Sequence, residues 1–115
     1  MMSGDLIEDY SFGKILIDGK KYTDDVILLG KKVKPGWWRK SGHRLHIEDL
    51  EDVIKFDPDI LIIGTGNSGN MTVPAGVKKE LDFEVKSFPT KKACKVYNEE
   101  LKSGKKVAGG FHLTC

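Results

Sequence analysis

Apolar positions along this chain follow two periods. Residues 12–17, 25–29, 59–63, 83–88 and 106–113 carry short aliphatic or alternating runs, and each reads as a strand. The first run ends at Asp18-Gly19, a pair that suits a type I′ hairpin turn because both central residues need positive φ. Residues 20–23 then return as its partner, with Tyr22 as the buried residue. The run 59–63 is unbroken, as expected of a central strand covered on both faces. Between the strands the period lengthens to that of a helix. Ile47, Leu50, Val53 and Ile54 share one face, with acids opposite and in the first turn, where the helix dipole favours them. Asp57-Pro58 stops that helix. A second helix is expected from about Val73-Pro74, with Thr72 as its N-cap and Val77 and Leu81 as its buried stripe. Pro89-Thr90 opens a third, lined by Ala93, Val96, Tyr97 and Leu101 and stopped at Ser103-Gly104. Gly109-Gly110 reads as a bulge in the last strand.

The order is therefore hairpin, strand, helix, strand, helix, strand, helix, strand. The alternation in the second half predicts an α/β fold with a mostly parallel, mixed central sheet and helices on its faces, the N-terminal hairpin beside it. At 115 residues the chain is expected to form one domain, 1–115, large enough to fold without staples. Hydrophobic residues at 39% and charged residues at 31% are ordinary for a soluble globule. A formal charge of +2 gives no electrostatic case for nucleic acid or a membrane surface. The aliphatic runs are far short of the roughly 20 residues a membrane helix needs. The start MMSGDLIEDY has no signal-peptide pattern, so the chain reads as cytoplasmic, and Cys94 and Cys115 as free thiols.

The run 59–63 leads into Gly64-Thr65-Gly66-Asn67-Ser68-Gly69-Asn70, a G-x-G-x-x-G spacing between strand and helix. A dinucleotide fingerprint needs its third glycine inside the first helical turn and an acid at the end of the next strand. Here Gly69 precedes the helix, and the next strand ends in Ser87-Phe88-Pro89-Thr90. Asn70 also stands where a phosphate-binding P-loop has lysine. The favoured reading is a wide turn. The alternative is a small anionic ligand or carboxylate held by the exposed N–H groups of residues 65–70.

Other chemistry is sparse. His43-x-x-His46 and His112-x-x-Cys115 resemble zinc-ligand pairs, but residues three apart on an extended strand face opposite ways, so no metal or cofactor is expected. Cys94 is the candidate nucleophile near a helix start, and its place beside the buried stripe favours an inert core thiol. Residues 31–44 hold six basic residues and no acid, around Trp37-Trp38-Arg39 and His43. Adjacent tryptophans on an extended chain face opposite ways. Exposed Trp and Arg are typical interface anchors, so this segment is a candidate partner or pocket surface.

Several stretches together carry a family resemblance. They are Asp9-Tyr10-Ser11-Phe12-Gly13 with Ile17-Asp18-Gly19; Trp37-Trp38-Arg39 with His43; the run from Asp59 to Gly66; Thr90-Lys91-Lys92-Ala93-Cys94 with Tyr97-Asn98; and Gly110-Phe111-His112-Leu113-Thr114-Cys115. Over nearly its whole length the chain resembles a family of small uncharacterised α/β proteins of archaea and bacteria, most of all the archaeal members. That family is related to a mitochondrial complex I assembly factor and to an adipogenesis-associated protein. The resemblance implies a three-layer fold with an extra β layer, and no catalytic residues. It favours a non-enzymatic binding or assembly module with a protein partner or a second copy of the chain. The alternative is a small enzyme or ligand-binding protein using the Gly64–Asn70 loop.

Overall fold

A computed structural model describes residues 5–115. Two sheets form. The smaller is antiparallel, in the order β1 (Ile7–Ser11), β2 (Lys14–Ile17), β3 (Lys20–Tyr22). The larger has the order β5-β4-β8-β6-β7, from β4 (Val26–Leu29), β5 (Lys32–Pro35), β6 (Ile60–Thr65), β7 (Glu84–Phe88) and β8 (Val107–His112). β6 pairs in parallel with both β7 and β8, whereas β4 runs antiparallel to β8 and to β5. The central sheet is thus mixed, parallel in the half built from strand–helix alternation. A 3-10 turn (Ile47–Leu50) leads into α1 (Glu51–Phe56); α2 is Ala75–Glu80 and α3 is Thr90–Lys102. None of the described helices is long and apolar enough to cross a membrane.

Every residue of β6 and β8 is buried, because the sheet is covered on both faces. On one face Val26, Leu28, Ile60, Ile62 and Phe111 pack with Tyr97 of α3 and with Ile15 and Ile17 of the small sheet. The opposite face carries Leu61, Ile63 and Ala108 against Leu50, Val53 and Val77. The layers are therefore α1 and α2, the central sheet, then α3 with the small sheet. Tyr97 donates its buried hydroxyl to Gly30 O (2.6 Å), tying α3 to the end of β4.

Several expectations need correction. Asp18 and Gly19 do adopt positive φ (49° and 81°), as a type I′ turn requires. The segment 7–11, however, is an additional strand, whose register slips between Ile7 and Asp9 and so breaks its alternation. β5 also forms inside the basic segment, a short lysine-bearing edge strand of the kind that resists further pairing. Ile54 is exposed rather than buried. Thr72 does not cap α2, which starts after Pro74; its backbone instead pairs with the chain at His43 and Leu45. The register of β8 runs unbroken through Gly109 and Gly110, so there is no bulge. These glycines make room for rings: a Cβ on Gly109 would lie 2.9 Å from Tyr97, and one on Gly110 2.7 Å from Trp37.

Candidate functional site

β6 and β8 end side by side, at Thr65 and His112. In open α/β sheets the carboxyl ends of the parallel strands are the usual place for ligand chemistry. Three segments converge here: residues 37–46, the glycine loop, and residues 112–115.

The glycine loop is folded onto the last of these. Asn67 N–H donates to Thr114 O (2.6 Å) and Asn70 N–H to Cys115 O (3.3 Å). Gly69 N–H donates to Gly66 O and Met71 N–H to Thr65 O. Gly66 N–H donates to Thr90 Oγ1 (2.8 Å), which in turn donates to His112 O (2.6 Å). Thr65 Oγ1 donates to Phe88 O. Gly66, at φ 109°, sits where any Cβ would stand 2.5 Å from Cys115 O. The glycine spacing thus serves a close backbone crossing. Most of the donors expected to cradle an anion are engaged inside the fold, leaving Asn67, Ser68 and Asn70 as an exposed rim.

Residues 37–39 alternate in and out. Trp37 is 9% exposed, its ring against Gly110 and its Nε1–H donating to Asp49 O (2.9 Å). Trp38 is 76% exposed. Arg39 turns inward again, its side chain 6% exposed and its guanidinium 4.7 Å from the Trp37 ring centroid, a cation–π distance. Arg39 is therefore no surface anchor. Its charge is met by Asp25, with Nη1 2.8 Å from Oδ2.

Asp25, just before β4, organises the centre. Its Oδ1 accepts Leu113 N–H (2.8 Å), and its Oδ2 lies 2.8 Å from His112 Nδ1. Burial pushes this carboxyl up, but the bonds from His112, Leu113 and Arg39 outweigh it and hold Asp25 below the ordinary carboxylate range. Arg39 Nη2 also lies 2.9 Å from His112 Nδ1. A bare Nδ1 would face the Asp25 carboxylate, so we assign the proton to Nδ1, donating to Asp25; Arg39 Nη2, a donor only, then makes no hydrogen bond to that nitrogen. His112 Nε2 is then an acceptor, buried and without a hydrogen-bond partner.

Above His112 stand two exposed groups. The His43 ring is edge-on to it, centroids 6.0 Å apart at 73°, and His43 Nε2 lies 3.6 Å from Cys115 Sγ. His46 is elsewhere, 3.0 Å from Ser41 Oγ. Among the described residues, no group of three or more His, Cys, Asp or Glu side chains is placed to hold a metal ion. Cys94 is buried, and burial pushes its thiol up to about 12.

Of the expected site residues, then, the structure brings Arg39 and His43 together with the C-terminal turn, and turns Trp38 out to solvent. Sequence reasoning misses Asp25: it is one acid among seventeen, in no motif, and lies 87 residues from His112. It considers His112 only as a zinc ligand, although the position of this residue at the end of a buried strand is legible.

The fold recurs in solved structures. A conserved hypothetical protein from Pyrococcus horikoshii OT3 is 32% identical, with a TM-score of 0.82 over 95% of this chain and 98% of that one. The protein MT938 is 27% identical, with a TM-score of 0.81 over 97% and 100%. A Bordetella pertussis protein described as an Mth938-like domain shares the fold at 12% identity, with a TM-score of 0.63 over 95% and 85%. Residues 7–112 match the family model described as a protein of unknown function, DUF498/DUF598, and the chain belongs to that family.

Proposed function

We propose that the protein is a non-enzymatic binding or assembly module whose partner surface centres on Trp38. One observation carries this reading: an indole left 76% exposed between two neighbours that are both buried anchors. Leaving an indole in water forfeits about 1.5–3 kcal/mol of burial, the scale for a large apolar side chain, and Trp is the residue most enriched at interface hot spots. Beside it lies a groove of about 220 Å³, walled by Trp37, Pro35 and Ile27 and rimmed by Glu48 and Asp52. That volume is below the range of pockets for small organic ligands, and suits one or two side chains of a protein partner. We carry over, as part of the same proposal, the relation of the resembled family to a complex I assembly factor. Free thiols suit a reducing, cytoplasmic setting.

The test is photo-crosslinking from position 38, in cell extract and with the purified chain alone, with position 79 on exposed α2 as the control. A discrete adduct at 38 and none at 79 is expected. An adduct with the purified chain alone identifies a second copy as the partner. Equal, diffuse labelling from both positions would overturn the proposal.

A further inference from the structure

The polar array at the carboxyl end of β8 plays no part in a Trp38 interface, and it has the arrangement of a reactive site. Cys115 is exposed, with Sγ within hydrogen-bond reach of His43 Nε2 at 3.6 Å. A thiol beside an imidazole is the usual pairing of sulfur nucleophile and general base. Beneath the pair, the His112 side chain is only 8% exposed and its Nε2 has no partner. Asp25 holds that ring in place from behind, accepting from its Nδ1.

We propose that Cys115 is a base-assisted reactive thiol that undergoes exchange with low-molecular-weight disulfides. As Cys115 Sγ attacks one sulfur of R–S–S–R, its proton passes to His43 Nε2. The S–S bond breaks, a protein–S–S–R bond forms, and RS⁻ leaves with the bonding pair to take up a proton. Net, Cys–SH and RSSR give Cys–SSR and RSH. His43 becomes cationic, and the neighbouring charges are Asp25 and Arg39. Cys94 takes no part, because it is buried and its thiol is held up at about 12.

The experiment uses the full chain with glutathione disulfide and with a chromogenic aryl disulfide at pH 7. One thiol should react in the native protein, Cys115 by mass, at least tenfold faster than in denaturant. His43→Gln, an exposed substitution, should remove most of that acceleration while leaving the melting curve in place. Cys115→Ser should abolish native labelling. Equal Cys115 rates in native and denatured chains, or no change in His43→Gln, would overturn the proposal.

Discussion

Asp25→Ala is the substitution the structure penalises most clearly. It leaves the Arg39 guanidinium, 6% exposed, without its counter-charge, and the Leu113 N–H and His112 Nδ1–H without acceptors. Removing one partner of a buried ion pair costs about 3–5 kcal/mol, chiefly because the other charge stays buried. A domain of this size has about 6–17 kcal/mol in all, at roughly 0.05–0.15 per residue. Asp25→Ala should therefore take about 3–5 kcal/mol, read as a lower midpoint in urea unfolding followed by fluorescence. Arg39→Met keeps an unbranched side chain and removes the charge, with its cation–π contact to Trp37. The double variant should be less destabilised than the sum of the two singles, by about 1–3 kcal/mol, because the residues are in contact. A loss under about 1 kcal/mol for Asp25→Ala, or strict additivity, would refute the view that this cluster clamps residues 37–39 to β4 and β8.

The same carboxylate sets an acid limit. Its folded-state value lies below that of the unfolded chain, so its contribution is complete above about pH 4 and is lost as pH falls through the folded value. Stability in the native chain should fall below about pH 4 more steeply than in Asp25→Asn, compared by thermal melts; identical slopes would contradict the assignment. Gly110→Ala should cost about 1–3 kcal/mol through overpacking, since its Cβ would meet the Trp37 ring at 2.7 Å. Combining it with Trp37→Leu should recover part of that loss in the same melts.

Elements whose own periodicity matches their burial are legible in the sequence. β6 is buried throughout and its continuous run says so; α3 presents Ala93 and Tyr97 inward at helical spacing. β1 is not legible because its slipped register breaks the alternation, and β5 because an edge strand of lysines reads as loop. The glycine loop can be judged against nucleotide motifs, but not against a C-terminal turn crossing it, since Asn67 and Thr114 are distant in the chain. The opposite facings of Trp37 and Trp38 follow from backbone geometry. The same alternation puts Arg39 on the Trp37 face, but its buried counter-charge is not legible, because Asp25 lies on the far side of β5 in sequence.

Two buried anchors hold Trp38 out in water. Acrylamide quenching of two single-tryptophan variants, Trp37→Phe and Trp38→Phe, reads the exposure of each indole. The chain retaining Trp38 should be quenched at close to the rate of free indole. The chain retaining Trp37 should be quenched several-fold more slowly, until Arg39→Met loosens the segment. Equal protection of the two indoles in the folded chain would contradict the claim and remove the surface on which the binding reading rests.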